Sequence, residues 1–234
     1  GVMLGGYYGA FAGVVNTLLL PLATAMSVKI ENQAFAYNQK MQKVGRFNAM
    51  IMFLILAGFY TYGKEFVVLW VGKTYLLSWE IALLIMVAMT LPLLQAFGNS
   101  ILEAKKKNRF RSVVGLITVS AAVIMSIYLV PIYHYRGVIY PLFVALVLNS
   151  LLMSWYYYKI FGFKFISFFT NVILKFVLVV LPLVALFSFV KNYWRISSWL
   201  DLLLQVILFA LVYLVIIYFI LMNFEEKKMI WRRK

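Results

Sequence analysis

Five basic residues in seven positions end the segment GNSILEAKKKNRFRS (residues 98–112): Lys105, Lys106, Lys107, Arg109 and Arg111. Cationic side chains at this density bind phosphate, either on a nucleic acid or on a lipid headgroup. A nucleic-acid site needs a solvated basic face, whereas every basic cluster of this chain borders an apolar run long enough to cross a bilayer. We therefore expect anionic phospholipids, and secondarily an anionic substrate, as partners, and no nucleic acid.

Polar residues recur on one face of the apolar run before this cluster. Pro92, Gln95, Asn99 and Glu103 are three or four residues apart, a spacing that aligns them along a helix. Polar groups inside lipid face either a neighbouring helix or a wet cavity. Both interpretations remain open, and we expect Gln95 to bond a neighbouring helix and Asn99 to line a cavity.

The sequence offers little for covalent chemistry. It has no cysteine, its single histidine is His134, and Asp201 is its only aspartate. Intramembrane proteolysis needs a serine with a basic partner, or paired aspartates, within the membrane. Neither a glycine-rich phosphate loop nor metal-ligand spacing is present. We predict that the protein is not an enzyme and uses no cofactor or metal.

The composition is that of a membrane protein. Of its 234 residues, 65% are hydrophobic and 12% are charged, whereas soluble domains are about 45–50% apolar. The expected fold is an all-α, polytopic membrane helix bundle with seven transmembrane helices, since about 20 apolar residues span a bilayer. The predicted spans are residues 5–28, 47–62, 79–102, 112–131, 137–158, 172–190 and 198–222. The segment Glu65–Gly72 is too short to span, and we predict a separate half-buried interfacial helix there.

Lysine and arginine orient these spans, because cytoplasmic loops carry the excess. The 22 basic residues divide 17 to 5 between the two sides, and the two sets alternate along the chain. The smaller set is Lys64, Lys73, Arg136, Lys191 and Arg195. The sequence therefore predicts a start outside and an end in the cytoplasm.

The first run also carries a glycine stripe. Gly1, Gly5, Gly9 and Gly13 repeat every four residues, so one helix face has almost no side-chain bulk. Such a face needs a closely packed partner helix, within this chain or outside it. Because position 1 is not Met, we expect the chain to be a piece of a longer one.

A heptahelical receptor or a retinal protein would share this predicted topology. A retinal protein needs a Schiff-base lysine within its last helix, and residues 198–222 contain none. The third span does not end in an acidic-Arg-aromatic triplet either. These residues therefore do not favour a retinal protein or a heptahelical receptor.

Several motifs resemble the C-terminal half of bacterial lipid-linked oligosaccharide flippases, the O-antigen and capsule exporters of the multidrug/oligosaccharidyl-lipid/polysaccharide superfamily. The similarity covers roughly residues 1–160. It includes a helix with Pro21 in mid-span and LPLLQAFGNSILEAKKKNRFR in the third span. Residues similar to the family pattern are Gly63, Glu65, Trp70, Gly72, Tyr75, Ala104, Lys107, Arg109 and Gly137.

The resemblance implies a function and a division of the chain. Residues 1–160 would be C-lobe helices, the eighth to twelfth of such a flippase, and residues 161–234 two further spans with a basic tail. The substrate would be an undecaprenyl-diphosphate-linked glycan, moved across the bacterial inner membrane as two lobes rock about a cavity. The N-terminal lobe would be a further partner. Lys29, Gln95, Asn99 and Arg109 are the candidate substrate-binding residues; a drug or other lipid exporter of the same superfamily is the alternative.

The charge bias generates a topological prediction. A cysteine replacing Lys107 should be protected from an impermeant maleimide in intact cells, whereas one replacing Lys73 should react, because the first lies on the side with the basic excess. The chain has no cysteine of its own to interfere. Labelling of position 107 from outside would contradict the orientation.

Overall fold

The computed structural model describes residues 1–16, 33–224, 226 and 227. It is 90% helical, and no strand occurs in these residues. Six helices in this part of the chain are long and apolar enough to cross a membrane. The expected all-α bundle of membrane-spanning length is confirmed, whereas the expected count of seven spans is not.

The helices follow one another with short connections. We number the α-helices α1 (Val2–Asn16), α2 (Gln33–Val71), α3 (Leu77–Leu94), α4 (Ala96–Ala104), α5 (Arg109–Tyr133), α6 (Arg136–Phe161), α7 (Phe165–Phe168), α8 (Lys175–Tyr193) and α9 (Trp199–Ile216). A 3₁₀ turn covers Lys73–Tyr75, and π-helical stretches cover Phe169–Leu174 and Ile217–Leu221. The first π-helical stretch joins α7 to α8, and the resulting span runs through Phe165–Tyr193.

Helix α2 corrects one expectation from the sequence. The segment Glu65–Gly72 is not a separate interfacial helix, because α2 continues through it to Val71. Gly63, which could have ended the helix, instead packs against Trp79, where an added Cβ would lie 2.6 Å from the indole Cδ1. The helix ends at Gly72, whose φ of 93° favours glycine. With 39 residues, α2 is about 58 Å long and extends well beyond about 30 Å of hydrocarbon.

The glycine stripe of α1 has its partner within the chain. A Cβ on Gly1, Gly5 or Gly9 would lie 2.6, 2.6 and 3.0 Å from Ile81, Ile85 and Met89 of α3, respectively. Since both sets of contacts advance together along the sequence, α1 and α3 run parallel. Tyr8 of α1 adds a hydrogen bond of 2.8 Å to Thr90 Oγ1.

Helix α2 is the centre of the bundle. It packs against α1 and α3 on one side and against α8 and α9 on the other. Aromatic pairs join it to the last two helices: Phe53 stacks on Phe176 at 5.7 Å, and Tyr62 meets Phe209 edge-on at 6.0 Å. Helices α5 and α6 form a hairpin that joins the bundle through contacts of α6 with α3.

Charged side chains separate to two ends of the bundle. At one, which we call the basic end, Arg46 of α2 pairs with Glu226 at 2.7 Å and donates to the carbonyls of Asn171 and Leu221. Burial alone would raise the pKa of the Glu226 carboxyl, but hydrogen bonds from Arg46 and the Asn223 N–H outweigh it and hold the pKa below its ordinary value. This buried ion pair fastens the end of the last span to α2.

The opposite end has its own ion pairs. Lys191 of α8 binds Glu65 of α2 at 2.8 Å and donates to the Thr61 carbonyl at 2.7 Å. Arg136 lies 3.6 Å from Glu80 and ties the start of α6 to that of α3. Each end of α2 is therefore held to the last two spans by one charged contact.

The close approach of α1 to α3 can be tested with two adjacent glycines. Gly5→Ala and Gly6→Ala gain the same helix propensity, but only the Gly5 methyl meets Ile85, since nothing lies within 4 Å of a Cβ on Gly6. Overpacking should lower the free energy of unfolding of Gly5→Ala by about 1–3 kcal/mol relative to Gly6→Ala. Thermal unfolding of the purified variants in detergent measures this difference, and equal stability would refute the contact.

Candidate functional site

The candidate site lies where the third span is interrupted. Helix α3 ends at Leu94 and α4 begins at Ala96, with Gln95 between them at φ −92° and ψ 11°. Pro92 is three residues earlier; it has no N–H to donate and its ring crowds the preceding turn. The break lies three residues after the proline that was predicted to kink this span.

A side chain of α2 satisfies part of the broken backbone. Asn48 Nδ2 donates to the carbonyl of Leu93 at 3.1 Å. Asn48 is 1% exposed, and its Oδ1 has no hydrogen-bond partner. Broken helices persist in membranes where neighbouring side chains replace the lost backbone bonds. The sequence interpretation missed this residue, although an asparagine near the start of an apolar run was a visible signal.

Gln95 contacts α6 within the buried core. Its Nε2 lies 2.9 Å from Ser154 Oγ, and Ser154 Oγ lies 3.1 Å from Gln95 Oε1. The serine also donates to the carbonyl of Ser150 at 2.7 Å. Gln95 is 1% exposed, so its amide lies in an interhelical hydrogen-bond network rather than in an open space.

Asn99, one turn further along α4, has a different environment. Its Oδ1 accepts a hydrogen bond of 2.8 Å from the Tyr157 hydroxyl. The residue is half-buried, and its Nδ2 has no acceptor among the described residues. Gly98 allows this arrangement, because a Cβ there would lie 2.8 Å from the Tyr157 ring. Asn99 therefore holds α6 with its oxygen and keeps two N–H groups for solvent or a ligand.

The remaining nominated residues lie elsewhere. Arg109 is the first residue of α5 and is exposed at the basic end, while Lys29 falls outside the described residues, as does Pro21. The structure thus brings Gln95 and Asn99 together on α4 and leaves Arg109 at the surface.

Basic side chains border the site on the side of the α4–α5 turn. Arg111 lies 3.2 Å from Glu103, with both side chains exposed, and Lys105 Nζ lies 5.0 Å from the centre of the Tyr37 ring. Burial, and then the neighbouring charge of Lys107, lower the pKa of the Lys105 ammonium. The described residues include no group of His, Asp or Glu placed to hold a metal. The arrangement offers hydrogen bonds and positive charge to an anion.

The contact between Asn99 and Tyr157 can be measured by a double-mutant cycle. Asn99→Ala and Tyr157→Phe should each lower stability, and the coupling between them should be about 0.6 kcal/mol, up to about 2 kcal/mol, since interhelical hydrogen bonds in membranes have this strength. Gln95→Ala should cost a similar amount by losing the hydrogen bond that its Nε2 donates to Ser154 Oγ. Unfolding of each purified variant gives the values, and additive effects at positions 99 and 157 would show that no such bond forms.

The comparisons with known proteins identify no family for this chain. Its sequence matches no protein-family model and no curated protein, and its fold matches no solved structure. Its function therefore has to be argued from the residues and their geometry.

Proposed function

We propose that this chain is part of a transporter that flips undecaprenyl-diphosphate-linked oligosaccharide across the bacterial inner membrane by alternating access. The observation that carries the proposal is the break at Gln95 in the predicted third span, with Asn99 one turn away, whose amide N–H groups have no acceptor among the described residues. Secondary transporters bind their substrates beside discontinuous helices, where irregular backbone and polar side chains line a cavity. The flippase-like motifs of residues 1–160 supply the substrate class.

The charges near the site support an anionic substrate. Five cations between Lys105 and Arg111 border the α4–α5 turn, and each basic group near a membrane surface attracts a phosphate with about 1 kcal/mol. A diphosphate headgroup would meet these cations first and then the amide of Asn99. Arg109 is exposed at the start of α5 and is the candidate substrate-binding residue best placed for the first contact. Lys29 stays a candidate on the grounds of sequence alone.

The proposal includes the finer features of the topology. Helix α1 would be the beginning of a seventh span over residues 5–28, and the basic end would face the cytoplasm, with the first residue outside. Residues 1–160 would form C-lobe helices and residues 161–234 two additional spans and a basic tail. An N-terminal lobe would supply the opposing wall of the cavity.

An apolar groove favours a second candidate, an exporter of drugs or other lipids from the same superfamily. The groove has a volume of about 530 Å³ and lies between α2, α3 and α8. It is lined by apolar side chains that include Phe53, Tyr60, Val87 and Val184, with Ser188 at one end. An apolar compound would fit this lining without any contribution from α4, whereas a glycan diphosphate would not. The heptahelical receptor-like alternative has no comparable feature in its favour.

A charge introduced at position 99 separates these functions. In a flippase-null strain carrying the full-length exporter, Asn99→Glu should abolish surface glycan while folded protein persists, because a carboxylate repels a diphosphate strongly in a low-dielectric site. Asn99→Ala should keep most export. Surface glycan and folded protein are measured together.

Asn149→Glu is the matched control for this experiment. Asn149 is also half-buried in a span, but its amide donates to Thr118 of α5 at 3.2 Å, on the hairpin rather than beside α4. Export by this variant should follow the amount of folded protein. Normal export by folded Asn99→Glu would contradict the proposed substrate contact. A change in drug resistance on Val87→Leu, in the apolar groove, would instead indicate a drug exporter.

A further inference from the structure

A polar groove at the basic end is separate from the interrupted third span. It lies between the start of α2 and the connection from α6 to α7, with a volume of about 480 Å³. Binding pockets for small ligands have volumes of roughly 300–1,000 Å³. Its lining includes Phe35, Asn38, Gln39, Gln42, Lys164 and Ser167. Uncharged polar groups and one aromatic ring therefore dominate this surface, unlike the apolar groove beside α8.

One residue holds the groove in shape. Asn38 Nδ2 donates to the carbonyls of Ala34 and Gly162 at 2.8 and 2.9 Å, and its Oδ1 accepts from the Lys164 N–H at 2.8 Å. Gly162 ends α6 with a φ of 68°, which favours glycine. The bonds to Gly162 and Lys164 join α2 to the connection after α6, so the groove is a built feature with a fixed wall.

Other polar groups of the groove have bonding capacity that no described residue fills. Ser167 Oγ accepts hydrogen bonds from Gln42 Nε2 at 3.0 Å and from Asn171 Nδ2 at 3.3 Å. A hydroxyl oxygen has two lone pairs, so the Ser167 O–H is left to donate. Gln42 Oε1 accepts no hydrogen bond from a described residue, and Gln39 is exposed. The groove thus presents a hydroxyl donor, an amide acceptor and a complete amide group.

We propose that this groove binds the uncharged sugar ring of a glycolipid headgroup. Each sugar hydroxyl both donates and accepts, and so do the side-chain groups of Gln39, Gln42 and Ser167 taken together. Phe35, 68% exposed, offers an apolar surface for the C–H face of the ring. A phosphate accepts only, so it would leave Gln42 Oε1 without a partner.

This inference goes beyond the proposed function, because it concerns a second site and does not require transport. Loss of export in the Asn99 variants would leave it intact, and loss of sugar binding here would leave the site on α4 intact. The groove contacts the headgroup at the membrane surface, while the proposed transport site lies on α4.

Protection of an introduced cysteine tests the groove directly. Ala34 lines it and is exposed, and the chain contains no cysteine. The Ala34→Cys protein, as the full chain in phosphatidylcholine nanodiscs, is labelled with a maleimide in the presence of N-acetylglucosamine or of glucosyl-diacylglycerol in the disc. Either sugar should slow labelling at position 34 and leave a Lys107→Cys control unchanged.

Comparing the free sugar with the glycolipid identifies the source of the ligand, and two substitutions test the residues that bind it. Protection by the glycolipid at lower concentration supports a headgroup source, and protection by the free sugar alone supports a sugar site of soluble origin. Gln42→Leu and the exposed Gln39→Leu should each weaken protection roughly fivefold, the value of one hydrogen bond. The second variant covers loss of folding in the first.

Three results would overturn the proposal. Equal protection by inorganic phosphate would make the groove an anion site. A thiol at position 34 that is unreactive without any probe would show that the protein itself covers the groove. Protection that is unchanged in both glutamine variants would place the sugar elsewhere.

Discussion

Hydrocarbon gives a buried polar group no hydrogen-bond partner, and this constraint determines how the bundle is assembled. Several buried polar side chains of the described spans lie where helices meet: Tyr8 with Thr90, Asn48 with the Leu93 carbonyl, and Gln95 with Ser154. The same constraint explains the position of α2, which supplies or receives a polar contact on most of its neighbours. Arg46 is the extreme case, because a guanidinium that is 7% exposed requires a carboxylate and two carbonyls around it.

The same constraint applies to the backbone where the predicted third span is interrupted. At the break, polar contacts come from other helices: Asn48 of α2 donates to the Leu93 carbonyl, and Ser154 of α6 accepts from Gln95. The local geometry at Gln95 is therefore maintained by α2 and α6 and depends on their position. A shift of either helix changes the set of hydrogen bonds available to α4, which links the interruption to motion of the bundle in the proposed transport cycle.

Much of this fold was predictable, because spans, kinks and glycine faces depend on residues close together in the sequence. The run of residues 137–158 and Pro92 are such local signals, and the structure agrees with both. Contacts that join distant segments were not predictable: Arg46 and Glu226 are 180 positions apart. The continuation of α2 through Gly63 was missed for the same reason, since the indole of Trp79 that packs on this glycine belongs to another helix. In the candidate site, the helical spacing of Gln95 and Asn99 was visible, but Ser154 and Tyr157 required the fold.

The polar contacts between helices differ in their contribution to stability. Removing one partner from a buried ion pair such as Arg46–Glu226 costs about 3–5 kcal/mol, whereas an interhelical hydrogen bond in a membrane contributes on average about 0.6 kcal/mol. The polar contacts between α4 and α6 are all of the weaker, uncharged kind. The last span is fastened to α2 by a charge pair, and α8 is fastened to α2 by another at the opposite end. The polar contacts of α6 with Gln95 and Asn99 are therefore weaker than the two charge pairs, as are the other uncharged interhelical bonds, and the Asn99 amide N–H groups beside them have no acceptor among the described residues.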